Sequence, residues 1–289
     1  MDTRILSRQP ISKGWSSDQK YKVKFEDGRF GLLRVADLTA FEGKRSEFSL
    51  MQKLAAKGCP ISQPLDFWTD TSYVYSVFEW LDGQDMVDVV AVLSDQELYD
   101  LGCQAGSFLR TLHSLPLDQG KRDWNTFYQA KIDQKNAAYL ASRYSYKNGQ
   151  EMIGFVQTNR HLLTQRPIVY QHGDFHTGNF LLGTDRHLKV LDFDRHDIGD
   201  PWEEFNRMIF TASLSPALAC GQIDSYFEEN IPEKFWTMLA LYLTVNSLGA
   251  LSWAEKVDPD QIPLMKEQAE LVGHWFGGYK TIIPTWYSK

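Results

Sequence analysis

Cysteine is scarce in this chain, and its spacing excludes two classes of architecture. Cys59, Cys103 and Cys220 lie far apart and form no CxxC pair, so neither a disulfide framework nor a structural zinc is expected. Long apolar runs are missing too. The opening MDTRILSRQP lacks the apolar core of a signal peptide, and no run approaches the ~20 apolar residues that cross a bilayer. No membrane partner and a cytoplasmic location are therefore expected. Positive charge is not in excess: the formal charge is -7 and the pI near 5.5, which disfavours nucleic acid, whose backbone selects basic surfaces. Internal repeats and low-complexity linkers are absent. What remains is a chain of 289 residues, 43% hydrophobic and 13% aromatic, able to bury a large core in one or two domains.

Two textures divide it. Up to about residue 82 the pattern is short and strand-like, with ILSRQPI, YKVKF, FGLLRVA and YVYSVFEW separated by turn material such as Glu26-Asp27-Gly28. Residues 41 to 57 interrupt it with apolar Phe48, Met51, Leu54 and Ala55 at helical intervals, and Gly58 follows as a stop. The expectation is five strands around one helix. WLDGQD at 80 to 85 is a candidate hinge, and after residue 83 helices dominate. Ser94 to Glu97 is a capping box opening a helix toward His113. Asp200-Pro201-Trp202-Glu203 and Asp258-Pro259-Asp260-Gln261 place proline at a first helical position and predict two more helix starts. Further helices are expected around 124 to 144, 151 to 165 and 233 to 254.

The chemistry concentrates in HGDFHTGNFLLGTDRHLKVLD, residues 172 to 192. Two short apolar runs joined by Gly183-Thr184-Asp185 are a β-hairpin signature, with Asn179 at its entrance and Asp192 at its exit. In an antiparallel pair these two ends lie side by side, although 13 residues separate them in sequence. An amide oxygen and a carboxylate, completed by waters and phosphates, suit Mg2+. Asp174, in the turn leading in, is then the candidate base. One competing reading is structural, with a polar turn capped by Asn179 and a strand ended by Asp192. Another takes His172, Asp174 and His176 as ligands of a zinc or iron hydrolase.

This segment resembles the signature motif of the aminoglycoside phosphotransferase and choline kinase superfamily, small-molecule kinases of protein-kinase-like fold. DPWEEFNRM, which follows it, fits the same superfamily. The resemblance implies an α+β, two-lobed fold: a five-stranded antiparallel N-lobe with one helix over 1 to 82, and a mainly helical C-lobe over 83 to 289. It implies that Asp174 is the catalytic aspartate, that Asn179 and Asp192 hold Mg2+, and that His172 props the catalytic loop. Phe193-Asp194-Arg195 departs from the Phe-Gly of protein kinases, which argues against a protein-kinase activation loop.

The nucleotide, ATP or GTP, is assigned to the first region. Ser12-Lys13-Gly14-Trp15-Ser16-Ser17 is a candidate phosphate loop, with Ser16 among its hydroxyls, although it holds a single glycine. In kinases a basic residue on the third strand grips the α- and β-phosphates and pairs with a helix glutamate. The matching position is Arg34, with Glu47 as candidate partner and Glu42 as competitor. Arginine presents a planar fork where lysine presents a point charge, so Arg34 reads as a bidentate phosphate grip, as a sign of weakened binding, or as a solvent-facing arginine. The base edge carries over to backbone groups of Glu79 and Leu81, with Phe78 as a gate or simply core. Nine acidic side chains against five lysines in residues 215 to 289, with Trp236, Trp253 and Trp275 interspersed, suit an amino-sugar, aminoglycoside-like or other cationic small-molecule acceptor. The activity expected is transfer of a γ-phosphate to a hydroxyl by a monomer or homodimer. A regulatory pseudokinase without turnover is the alternative.

Overall fold

The computed structural model describes residues 4–12, 18–118 and 122–288. In chain order the first part carries strands β1 (Ile5–Ile11), β2 (Gln19–Phe25) and β3 (Phe30–Asp37), helix α1 (Phe41–Ala56), and strands β4 (Pro64–Thr69), β5 (Tyr73–Glu79) and β6 (Gly83–Asp85). Helices α2 (Met86–Val89), α3 (Asp95–His113), α4 (Trp124–Leu140) and α5 (Gly149–Asn159) precede strand β7 (Val169–Gln171). Strands β8 (Phe180–Gly183), β9 (Leu188–Val190) and β10 (Asp197–Gly199) follow, then helices α6 (Met208–Leu214), α7 (Pro216–Tyr226), α8 (Glu233–Val257) and α9 (Ile262–Trp275).

Contacts divide the chain into two compact units. One comprises residues 1–91 with 178–196, and the other residues 92–177 with 197–289. The texture change near residue 82 is therefore not where contacts part. β6 pairs antiparallel with β8, which ties residues 83 to 85 and the hairpin to the sheet-bearing unit, and the candidate hinge is a paired strand.

The sheet unit is the expected five-stranded antiparallel sheet, in order β1-β2-β3-β5-β4. Its central strand, β3, is buried on both faces. Leu33 and Val35 join Val23, Phe25 and Val77 in one apolar layer, so alternation sends Arg34 to the opposite face. Phe48, Leu50, Met51 and Leu54 of α1 are buried, and the helix stops at Gly58, whose φ of +72° lies in the left-handed region that closes helix ends.

The helical unit packs α4, α5, α8 and α9 around a core that includes Tyr128, Ile132, Met152, Leu241, Tyr242 and Met265. Of the expected helix starts, only the first forms as written: Ser94 accepts from the Glu97 N–H and Glu97 reaches back to Ser94. After Asp200-Pro201 a 3-10 turn, Glu203–Arg207, replaces the expected α-helix, because Asp200 and the two glutamates are drawn into buried polar contacts. Asp258 makes no side-chain cap, and α9 begins at Ile262 after a 3-10 turn. Helix α7 lies in a stretch with no predicted element. Helix α8 is long and apolar enough, by length and composition, to cross a membrane, and 72% of its most apolar window is buried inside the protein. Its Thr244 and Ser247 hydroxyls donate back to carbonyls one turn earlier, which satisfies them inside the core.

Helices α3 and α7 meet through glycine. A Cβ on Gly102 would lie 2.1 Å from the Leu218 carbonyl oxygen, and one on Gly106 2.2 Å from that of Gln222. Gly102→Ala should therefore cost about 1–3 kcal/mol, since the obstruction is backbone. Gly154→Ala in α5, where a Cβ meets nothing within 4 Å, should instead be neutral or stabilise by up to about 1 kcal/mol. Chemical denaturation of the two variants measures both.

Candidate active site

The hairpin forms in the register its sequence predicts, with Phe180 opposite Val190 and Leu182 opposite Leu188. Leu191 N–H donates to the Asn179 carbonyl at 2.9 Å, which carries the pairing one step further. Asn179 and Asp192 thus flank the open end, and both line one cavity of about 430 Å³ in the sheet unit. Asp192 has φ +63°, a left-handed conformation that aspartate tolerates better than most residues. One carboxylate and one amide oxygen at a cavity wall fit Mg2+, which keeps several waters and takes phosphate oxygens as further ligands. Among the described residues no group of three or more His, Cys, Asp and Glu is placed to hold a metal, so a zinc or iron cluster has no such framework here.

Arg34 and Glu47 line the same cavity and meet at 2.6 Å, whereas Glu42 is exposed and pairs with Arg45. The solvent-facing reading of Arg34 is overturned, since its side chain is only 7% exposed. Two further carboxylates close on it: Asp18 at 2.7 Å and Asp194 at 2.9 Å. Lys44 joins them, 2.7 Å from Asp18 and in contact with Asp194. Burial opposes the charge on both cations, yet the surrounding carboxylates outweigh it and hold Arg34 and Lys44 above their ordinary ranges. For Glu47 burial wins, and its carboxyl is pushed up. For Asp194 burial is the largest single effect but Lys44 and Arg34 overcome it, so its carboxyl is held down. Asp194 is 31% exposed while Asp18 and Glu47 are 3% and 4% exposed, so of the three carboxylates on Arg34 it is the one most open to solvent.

Glu79, Leu81 and Phe78 also line this cavity. The Glu79 N–H is already committed to the Gln63 carbonyl at 2.8 Å, and the Glu79 carbonyl accepts from the Ser62 hydroxyl. That carbonyl keeps a second lone pair. Leu81 makes no backbone hydrogen bond among the described residues. Phe78 is 2% exposed and packs on Phe48, so it is both core and cavity wall. Ser16 and the rest of its loop from Lys13 to Ser17 lie outside the described residues.

Asp174 belongs to the helical unit. The turn before it is held by Glu204, a carboxylate 2% exposed that accepts from the backbone N–H of His172 at 2.6 Å and of Gly173 at 2.8 Å. Gly173 sits at φ +80°, which glycine adopts without strain. His172 is fully buried and its Nδ1 accepts the Asp174 N–H at 3.3 Å, bracing the turn. Arg207 Nε stands 3.0 Å from Asp174 Oδ1 and His176 Nε2 stands 3.7 Å from it. Asp200 anchors the next segment: Arg166 donates to both its oxygens at 2.6 and 2.8 Å, and the Tyr242 hydroxyl donates at 2.6 Å. Glu203, in the same tetrapeptide, accepts from Lys131 at 3.0 Å and from Gln171 at 3.2 Å.

The C-terminal acids are in part used elsewhere. Asp224 accepts from Tyr99 and Tyr287, Glu255 pairs with Arg143, and Glu270 pairs with Lys147. Trp236 and Trp275 are core, while Trp253 is 44% exposed. Sequence reasoning missed Asp18, Lys44 and Asp194 around Arg34. Lys44 carried one signal, its position three residues before Glu47 on the same helix face.

A model of the phosphotransferase enzyme family matches residues 7–236. Comparison with curated protein sequences returns no match. Among solved structures the chain is similar to a thermostable mutant of aminoglycoside phosphotransferase APH(4)-Ia in a ternary complex with ADP and hygromycin B, at 18% identity, TM-score 0.68, over 93% of this chain and 94% of that one. It is similar to amicoumacin kinase hAmiN in complex with AMP-PNP and Ca2+, at 14% identity, TM-score 0.65, over 97% of this chain and 90% of that one. It is also similar to a choline/ethanolamine kinase family protein from Mesorhizobium loti, at 14% identity, TM-score 0.67, over 96% of this chain and 91% of that one. These likenesses establish the α+β, protein-kinase-like fold.

One titration follows from the cations grouped around Arg207. Burial, with Lys131 and Arg207 nearby, pulls the Lys135 ammonium down to about 7 from an ordinary 10.5. Between these values the unfolded chain binds a proton that the folded chain releases, so this lysine makes stability rise with pH across that window. Below it, the folded state carries the full cost of the buried charge. Lys135→Met should therefore raise Tm most at pH 6 and least near pH 10, and melting curves across that range test it.

Proposed function

This chain belongs to the phosphotransferase enzyme family, and from that premise we propose that it transfers the γ-phosphoryl group of magnesium-bound ATP to a hydroxyl of a small-molecule acceptor. The observation that carries the reading is that Arg34, Asn179 and Asp192 line a single cavity in the sheet unit. Asn179 and Asp192 hold the metal, which neutralises charge on the phosphate oxygens when bound. Arg34, kept charged and fixed by Glu47, steadies the α- and β-phosphates. Asp174 orients the acceptor hydroxyl and receives its proton. The bond from the γ-phosphorus to the bridging oxygen breaks, a phosphate ester forms at the acceptor oxygen, and ADP leaves. Such transfer passes through a loose transition state, so placement and charge neutralisation supply most of the rate.

The base edge favours adenine. A lone pair on the Glu79 carbonyl matches an amino group, and the Leu81 N–H matches a ring nitrogen, whereas guanine would need a donor where the Glu79 N–H is already committed to Gln63. The pseudokinase alternative draws support from Arg34, whose guanidinium is engaged by three carboxylates.

Asp174→Ala should lower transfer by at least ~100-fold while leaving ATP affinity little changed, as read by turnover and by thermal shift with ATP. Retained turnover removes Asp174 from the chemistry. ATP should stabilise the protein more than GTP does, and chelating Mg2+ should weaken that stabilisation and stop turnover. Magnesium-dependent stabilisation with no phosphorylated product from any acceptor, nor from water, would support the regulatory alternative.

A further inference from the structure

The cations grouped around Arg207 carry the opposite sign to the acidic C-terminal segment. Arg207 stands against the Asp174 carboxylate. Lys131 and Lys135 lie four residues apart on α4, hence on one face, an arrangement in which like charges repel. Of the nearby carboxylates, Glu203 is taken by Lys131 and Gln171, Glu204 by the His172 and Gly173 N–H groups, Asp200 by Arg166 and Tyr242, and Asp174 is the catalytic group. Lys135 is half-buried and has no ion-pair partner among the described residues, though it feels the charges of Lys131, Arg207 and Glu203.

The fold also makes room for this ammonium. Gly249 of α8 faces it so closely that a Cβ there would lie 2.8 Å from Lys135 Cε and 3.0 Å from its Nζ. Trp253, one turn further along α8 and on the same face, is 44% exposed and adds an aromatic surface. A partly desolvated cation without a counter-charge is costly, and an arriving anion removes that cost.

We propose that the acceptor carries an anionic group, a carboxylate or a phosphate, that docks on Lys135 beside Lys131 and Arg207 while its hydroxyl meets Asp174. This rests on the phosphotransferase reading. The depressed Lys135 titration agrees with it, because a docked anion restores the proton.

Two measurements test it. The first follows ATP-dependent mass gain on hydroxy acids and on sugar phosphates, the two sources of negative charge, against amino alcohols and aminoglycosides. Turnover is expected among the anionic acceptors, and the arm that reacts identifies the group. Lys135→Met should raise KM for that acceptor at least ~10-fold with a much smaller change in kcat, and Lys135→Arg should restore most of it. Turnover confined to cationic or neutral acceptors, or an unchanged KM in Lys135→Met, overturns the proposal.

The second measures thermal shift by inorganic phosphate and by citrate with AMP-PNP and Mg2+ already saturating. A shift present in the native protein and lost in Lys135→Met supports the anion site, and equal shifts in both overturn it. The two readings fail differently. Loss of all ATP turnover, with the Lys135-dependent phosphate response intact, would remove the phosphotransferase activity and keep the anion site. ATP turnover on cationic acceptors alone would do the reverse.

Discussion

The Glu204 carboxylate taking the backbone N–H groups of His172 and Gly173 is the contact on which the turn before Asp174 depends. A chain leaving a strand for a tight turn exposes amides that need partners, and a buried carboxylate satisfies two at once with charge-assisted bonds. The neighbouring acids extend the arrangement. Asp200 is locked by Arg166, which stacks 3.8 Å over the Trp202 ring, and by Tyr242, while Glu203 reaches Gln171 of β7. Three carboxylates within five residues thus hold the chain before, within and after β7: Asp200 through Arg166, Glu203 through Gln171, and Glu204 through His172 and Gly173. Removing one partner of such a buried set leaves an uncompensated charge, which is why the segment reads as a unit.

The sheet unit solves a similar problem with the signs reversed. Arg34 and Lys44 face Asp18, Glu47 and Asp194, two positive groups against three negative. These carboxylates occupy the directions in which a guanidinium holds an anion, and they keep the arginine ionised and aimed; Asp194 is the most exposed of the three.

Local patterning explains what was legible in the sequence. Alternation placed Leu33 and Val35 opposite Arg34, helical spacing gave α1 its buried face, and a Gly-Thr-Asp turn between apolar runs fixed the register that brings Asn179 and Asp192 together. The helix start at Asp200 misled, because an N-cap signature is a local preference and tertiary partners overrode it; at Asp258 the helical turn does begin at Pro259, as a 3-10 turn that runs into α9. Asp18 and Asp194 stayed hidden for a related reason: ion pairs between residues 16 and 160 positions apart leave no periodic trace. The acidic tally of residues 215 to 289 gave no hint of which of those acids are engaged: Asp224, Glu255 and Glu270 each have a partner in the folded unit. Lys131, Lys135 and Arg207 become neighbours only in the folded unit.

The glycine seam between α3 and α7 reaches further than its own stability. His113, at the last turn of α3, shares a hydrogen bond of 2.9 Å with Tyr226, the final residue of α7, and stands 3.8 Å from Glu204. Because the two helices touch backbone to backbone, no flexible side chain can absorb a change in their spacing. A bulkier residue at Gly102 or Gly221 would meet backbone and wedge the pair apart, and the displacement would be felt at the far end of both helices, where His113 and Tyr226 stand beside the Glu204 carboxylate.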